Sequence, residues 1–233
     1  GKFSIKKDRF DTIREGALIF LKTAKKLEAK SVITSGAGVR EGLFLTSILG
    51  NNAKLPQNFN PSLRSLQDRF SVKNRSNLAK FTKEIFENLS ILHGIEAKFQ
   101  KSLINAAKIC NLGAKIGFYA KHENSAYFAL NALNYGFTHE EKVLISTIIK
   151  LHGKFAVQDD FKSLKDLLPN INVVLWLSFM LELAKILDEC GLEKLKFEFS
   201  GHAFKIHGAN ASFTAQEDIK KLYKPTHFEL ILV

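Results

Sequence analysis

Cysteine is scarce in this chain. Two residues, Cys110 and Cys190, lie 80 positions apart, each inside a helical pattern. That spacing excludes a disulfide framework, leaves no second cysteine at zinc-ligand distance, and points to a reducing compartment. Proline is nearly as rare, with four residues, and no low-complexity tract occurs, which argues against long disordered linkers. Long apolar runs are missing too. The longest, 143–149 and 173–179, fall far short of the roughly 20 residues a membrane helix needs. No signal-peptide pattern opens the sequence. We therefore expect a soluble, cytoplasmic protein without a membrane span. Tryptophan and methionine occur once each against twenty phenylalanines, a compositional habit that carries no function.

What the chain has in excess is positive charge. Lysine and arginine number 34 against 23 acidic residues, for a formal net charge of +11. An excess of that size concentrates polyanions such as nucleic acid, polyphosphate or an acidic membrane surface. Lysine predominates, which suits diffuse attraction to phosphate better than base-specific readout. The plainer alternative is that these lysines only solvate helix faces. At 233 residues and 45% hydrophobic content the chain can bury a substantial core in one or two domains.

Lys2–Ile5 reads as a short strand without a preceding partner, and Gly1 in place of methionine suggests a cut. Phe10, Ile13, Ala17, Leu18, Phe20, Leu21, Ala24 and Leu27 recur at helical spacing and predict an amphipathic helix over 8–29. Residues 31–34 then read as a strand, 35–42 as a glycine turn, and the following residues to about Leu49 as a helix. The turn contains Gly36, Gly38, Arg40 and Glu41. Small residues between a strand and a helix N-terminus can receive a phosphate, although Gly-x-Gly-x-x-x-Gly is not the dinucleotide fingerprint. Residues 51–61 read as a domain connection. Helices are then expected from Ser62 to Phe70, through Leu78–Leu89 and through Phe99–Ile109. The segment from Val173 to Leu187 is apolar all round and should lie at the centre of a bundle. After Gly191 the period changes to two: Leu195, Phe197 and Phe199, then Phe204 and Ile206, form a hairpin turning at 200–202. A short helix (214–223) and a terminal strand (228–233) complete a cap too small to fold alone, which should pack on the bundle.

The stretch 103–154 organises the rest. Leu-Ile-Asn-Ala-Ala-Lys-Ile-Cys-Asn-Leu-Gly (103–113) predicts an apolar helix ending at Gly113. Lys-His-Glu-Asn-Ser-Ala-Tyr-Phe-Ala-Leu-Asn (121–131) opens polar and becomes amphipathic. Thr138 stands three residues before Glu141, the signature of a capped helix start. The order of these blocks resembles the helical domain that follows the catalytic half of the exopolyphosphatase/guanosine-pentaphosphate phosphohydrolase (Ppx/GppA) family. That domain is similar to the HD metal-dependent phosphohydrolases. In those, a His-Asp pair precedes a glycine, and a later segment reads His-x-His-Ser-x-Tyr. Here Cys110-Asn111 stands at the His-Asp position, two residues before Gly113, and the later segment survives as His122-Glu123-Asn124-Ser125-Ala126-Tyr127. The first-helix histidine position falls at about Asn77. Arg40-Glu41-Gly42 matches the family's Arg-Glu-Gly, which closes its second actin-like domain.

The resemblance implies a mainly α fold. Residues 1–50 would be the end of an actin-like (ribonuclease H-like) α/β domain, 51–190 an HD-like helical domain, and 191–233 a small α/β cap. It implies a parent enzyme that uses Mg²⁺ to release terminal phosphate from polyphosphate or the 5′-phosphate of guanosine pentaphosphate. This part would guide the polyanion and support a homodimer. Gly36, Gly38, Arg40 and Glu41 are its candidate substrate-facing residues, and Arg40 is the more readily a structural brace. Asn77, Cys110, Asn111 and His122 are degenerate metal positions.

We expect no catalytic residue and no metal in this chain. No His-Asp dipeptide occurs in it, and a thiol beside a neutral amide is a poor ligand pair for Mg²⁺ or Mn²⁺. Cys110 reads as a buried core residue before it reads as a nucleophile served by His122 or His152. His152 suits a helix C-cap. Glu140-Glu141 and Asp159-Asp160 read as surface charge, the former favouring a helix dipole. The competing functional reading is a stand-alone basic helical module for nucleic acid or a protein partner. The half-domain at the start of the chain disfavours it.

Overall fold

The computed structural model describes residues 6–32, 38–50, 60–70, 76–151, 164–191, 194–208 and 213–233. Among the described residues the fold is mainly α with one small sheet. The expected strand at 2–5, residues 33–37, His152 and Asp159-Asp160 lie outside the described residues; the turn expected over 35–42 is helical from Val39, so Arg40, Glu41 and Gly42 lie in a helix and not in a turn. The chain divides into two compact units, Gly1–Val39 and Arg40–Val233.

In the first unit a 3-10 turn, Lys7–Arg9, leads into α1, Phe10–Lys26. The helix is shorter than the 8–29 expected. Leu27 leaves the helical region and Glu28 takes φ +52°, a left-handed stop.

The second unit begins in α2 (Val39–Leu49) and continues through α3 (Pro61–Phe70), α4 (Leu78–Asn88), α5 (Ser90–His93), α6 (Lys98–Ile109), α7 (Lys121–Ala132) and α8 (His139–Leu151). The short α5 has no signal in the pattern. Proline at the first position of α3 needs no N–H partner, and Asn60 caps that helix by accepting the Leu63 N–H at 3.1 Å. The Asn60 side chain also donates to Tyr135 O, and Ser62 Oγ accepts the Tyr135 N–H, so the α3 start is tied to the α7–α8 loop. The capping box is formed in both directions. Thr138 Oγ1 accepts the Glu141 N–H at 3.2 Å, and Glu141 Oε2 accepts the Thr138 N–H at 2.9 Å.

A 3-10 turn at Lys165–Leu167 precedes α9, Ile171–Glu189. Asn170 caps it through the Asn172 N–H. Buried residues run without a break from Val174 to Leu181 and from Leu183 to Leu187, so α9 is the central helix, as its all-round apolar character predicts. It packs on α4, α6 and α8. Burying each of its Leu, Phe and Met side chains contributes roughly 1.5–3 kcal/mol.

Strands β1 (Lys196–Ser200) and β2 (Ala203–His207) pair antiparallel around Gly201, whose φ of +62° suits glycine. Helix α10 (Phe213–Lys221) carries the chain across to β3 (Glu229–Leu232), which pairs parallel to β2. The sheet's inner face meets the bundle. Phe197 stands edge-on to Phe81 of α4, with ring centroids 6.0 Å apart, and Phe228 stacks on Trp176 of α9 at 6.0 Å. The cap therefore shares the helical core.

Candidate functional site

The first block does not run as one helix to Gly113. Helix α6 stops at Ile109, and Leu112–Lys115 forms a separate 3-10 turn. The reason is a close approach. Gly113 lies so near α7 that an added Cβ would fall within 2.6 Å of the Ser125 backbone nitrogen and 2.7 Å of Asn124 Cβ. Glycine is needed here for space, because two backbones meet.

Ser125, fully buried, holds the junction. Its hydroxyl donates to Cys110 O at 2.8 Å and accepts the Gly113 N–H at 2.9 Å. Asn124 Nδ2 adds a long bond to Gly113 O, 3.4 Å. One helix turn of α7 thus supplies the groups left open where α6 ends. The sequence pattern marked Ser125 only as part of a motif. The signal that could have revealed its role is its pairing with a glycine that has no Cβ to hold it off.

The residues expected at degenerate metal positions lie apart in the structure. Cys110 is buried, and its Sγ lies 3.6 Å from Ala107 O. Burial pushes its thiol up to about 12, with Lys185 and Lys121 pulling it down and Glu182 and Glu189 pushing it up. The thiol stays protonated at neutral pH and is no nucleophile. Asn111 is exposed at the surface, and His122 is half-buried near the start of α7. The Asn77 N–H donates to Asp188 Oδ1 at 2.7 Å, and Ser76 Oγ donates to Asp188 Oδ2 at 2.8 Å, so the end of α9 caps the start of α4. Among the described residues, no three His, Cys, Asp or Glu side chains converge as a metal site would require.

Close to Cys110 in the electrostatic sense lies an ion pair the periodicity missed. Lys185 is 4% exposed and faces Glu182, with Nζ 3.4 Å from Oε1. Its sequence signal was present: two charges three apart inside an otherwise apolar helix. Lys121 and Glu189 form a second pair at 3.6 Å.

A family model described as Ppx/GppA phosphatase, domain III, matches residues 60–213, from the α3 cap to the first residue of α10. The match spans well over half of the chain. The chain belongs to the Ppx/GppA phosphatase family. No protein of curated function matches it. In this Ppx/GppA domain, Cys110, Asn111 and their surroundings do not fit a Mg²⁺ or Mn²⁺ ion. Cys110 offers a protonated sulfur, Asn111 lies out in solvent, and the Lys185 and Lys121 ammonium groups act on the same locality.

The other candidates are scattered. Gly36 lies outside the described residues. Gly38 immediately precedes α2, Arg40 is exposed at its second position, and Glu41 follows within the helix. Among the described residues no helix is long and apolar enough to cross a membrane.

Proposed function

We propose that this chain is the C-terminal part of a Ppx/GppA-type phosphohydrolase acting on polyphosphate or guanosine pentaphosphate, and that its helical domain grips the polyanion. The observation that carries this reading is the match of residues 60–213 to the family's domain III. The net charge of +11 supports it. On this reading residues 1–50 close an actin-like α/β domain, 51–190 are HD-like, and 191–233 form the cap. The exposed apolar residues Phe10, Leu18, Phe20 and Leu21 of α1 are in keeping with a helix that packs within such a domain.

The distribution of lysines refines which groups would meet phosphate. Lys22, Lys25, Lys26 and Lys30 are exposed and have no ion pair among the described residues. Lys80 and Lys83 face Glu84 and Glu87 at 4.0 and 3.8 Å, so they offer less free charge. Lys101, Lys115, Lys194 and Lys196 are exposed without a paired carboxylate among the described residues. Contacts of this kind are weak singly and add along a polymer.

Mg²⁺ would serve the parent enzyme's phosphate chemistry. Homodimer formation belongs to the same proposal. Competition binding decides it: labelled long-chain polyphosphate on the purified chain, displaced by unlabelled polyphosphate or by duplex DNA of equal charge. Polyphosphate should displace at lower concentration. Stronger displacement by DNA would favour the nucleic-acid module.

A further inference from the structure

The single tryptophan of the chain, Trp176 on α9, is a meeting point between the bundle and the cap. Phe228, the residue before β3, stacks on it with the ring planes 16° apart. Phe228 also stands edge-on to Phe179 at 5.7 Å, so its ring seats the start of β3 on the central helix. The third aromatic partner of Trp176 is His93, the last residue of α5, at 5.9 Å. His93 lies 4.7 Å from the Phe86 ring of α4 as well. A titratable ring therefore stands next in line to the contact that docks the cap.

His93 is held through both ring nitrogens. Nδ1 accepts the Ile95 N–H at 2.8 Å, and Nε2 bonds Phe86 O at 2.9 Å. Only a neutral ring with its proton on Nε2 satisfies both. Gly94 takes φ +58°, the left-handed turn that brings the Ile95 amide back to the ring. A second proton, on Nδ1, sets two donors against each other and leaves the Ile95 N–H without its acceptor. The Phe86 and Trp176 rings, tilted to the imidazole by 47° and 59°, attract a cation but supply no such acceptor. The ring is half-buried, so it can turn towards water.

The charges on the surrounding elements are engaged elsewhere. Glu87 on α4 faces Lys83 at 3.8 Å, and Glu96 before α6 faces Lys98 at 2.9 Å. The first turn of α9 has no acidic residue, and Lys224 of the cap donates to Phe228 O at 2.9 Å. Burial first, and the Phe86 carbonyl second and in the opposite sense, set the proton affinity of His93, with no charged side chain contributing. His227, exposed beside Phe228, titrates in the same region and serves as the control.

We propose that His93 is a proton-operated latch on the C-terminal cap: the neutral ring braces Trp176 against Phe228 and keeps β3 docked, and the protonated ring leaves its seat and lets that end of the cap open. Burial lowers the folded pKa, so the latch is closed above about pH 6.5 and opens as pH falls through the lowered value.

The test follows Trp176 emission and amide hydrogen exchange of the full 233-residue chain from pH 7.5 to 5, with exchange corrected for its intrinsic pH dependence. The Glu229 and Val233 amides, bonded to His202 O and Ile206 O, report the docking of β3. Their protection should fall by about threefold or more across the range. The fall should be the same in 0 and 1 M urea, because a local opening exposes little surface. Trp176 emission should change with the same midpoint. His93→Gln, whose neutral amide can donate and accept at once, should abolish both changes, and His227→Gln should leave both in place. Should His93→Gln fail to fold, coincidence of the two midpoints in the parent decides. Separate midpoints, protection that does not fall, a fall seen only in urea-sensitive exchange, or changes that follow His227 would each overturn the proposal.

Discussion

Replacing Gly113 with alanine drives a Cβ into the junction between α6 and α7. The new atom would fall 2.6 Å from the Ser125 backbone nitrogen and 2.7 Å from Asn124 Cβ, with the Lys121 carbonyl closer still. Two of these neighbours are backbone atoms, so a rotamer change cannot relieve the clash, and α7 must move away from the 3-10 turn. Overpacking of this kind costs about 1–3 kcal/mol. The displacement also stretches the Ser125 bonds to Gly113 N and Cys110 O, which adds about 1 kcal/mol. Against this, alanine narrows the unfolded ensemble by about 0.4–1 kcal/mol. The net expectation is a loss of roughly 2–3 kcal/mol, or about 5–10 °C in Tm for a chain of this size. Urea unfolding followed by far-UV circular dichroism measures it. Ser125→Ala should cost a similar amount, and the double variant should cost clearly less than the sum, because both changes break one junction. A Gly113→Ala variant within 0.5 kcal/mol of the parent, or strict additivity with Ser125→Ala, would refute the claim that glycine is there for close approach.

Thr138→Ala removes the oxygen that accepts the Glu141 N–H and should lower stability by about 1 kcal/mol in the same unfolding assay. Glu182→Ala leaves the buried Lys185 ammonium short of its counter-charge and should cost about 3 kcal/mol, whereas Lys185→Met paired with Glu182→Leu should come within 1 kcal/mol of the parent or exceed it. His93 gives a pH signature. Its Nδ1 accepts the Ile95 N–H at 2.8 Å and its Nε2 bonds Phe86 O at 2.9 Å, so only the neutral ring satisfies both. Desolvation by burial lowers its pKa against the raising effect of the Phe86 carbonyl. The folded state therefore binds this proton less readily than the unfolded chain. The His93 contribution is present above about pH 6.5 and is lost as pH falls through the lowered folded value. His93→Gln should flatten that part of the stability profile, measured by urea midpoints from pH 7.5 to 5.

The helices were legible because their apolar spacing is strong. Leu78, Phe81, Ile85 and Phe86 mark α4, and the unbroken run in α9 declares its central place. Thr138 and Glu141 announced their cap through spacing alone. The parallel pairing of β3 was not legible, because alternation in Glu229–Leu232 fixes a face but not a direction. The end of α6 at Ile109 was hidden for a related reason: Gly113 looks like a helix stop, yet its role is set by α7, twelve residues away at Ser125. What holds the residues expected at degenerate metal positions did not appear in the motif. Asp188 came to Asn77 from 111 residues downstream, and no local pattern carries that contact.

The central claim is that this Ppx/GppA helical domain holds a phosphate polymer through many separate lysine contacts. The most direct test is the dissociation constant of long-chain polyphosphate on the purified chain as salt rises from 50 to 200 mM. Several phosphate contacts should make log K fall linearly with log salt, with a loss of about tenfold or more across that range. An affinity that stays flat across the range, or binding absent even at 50 mM, would contradict it.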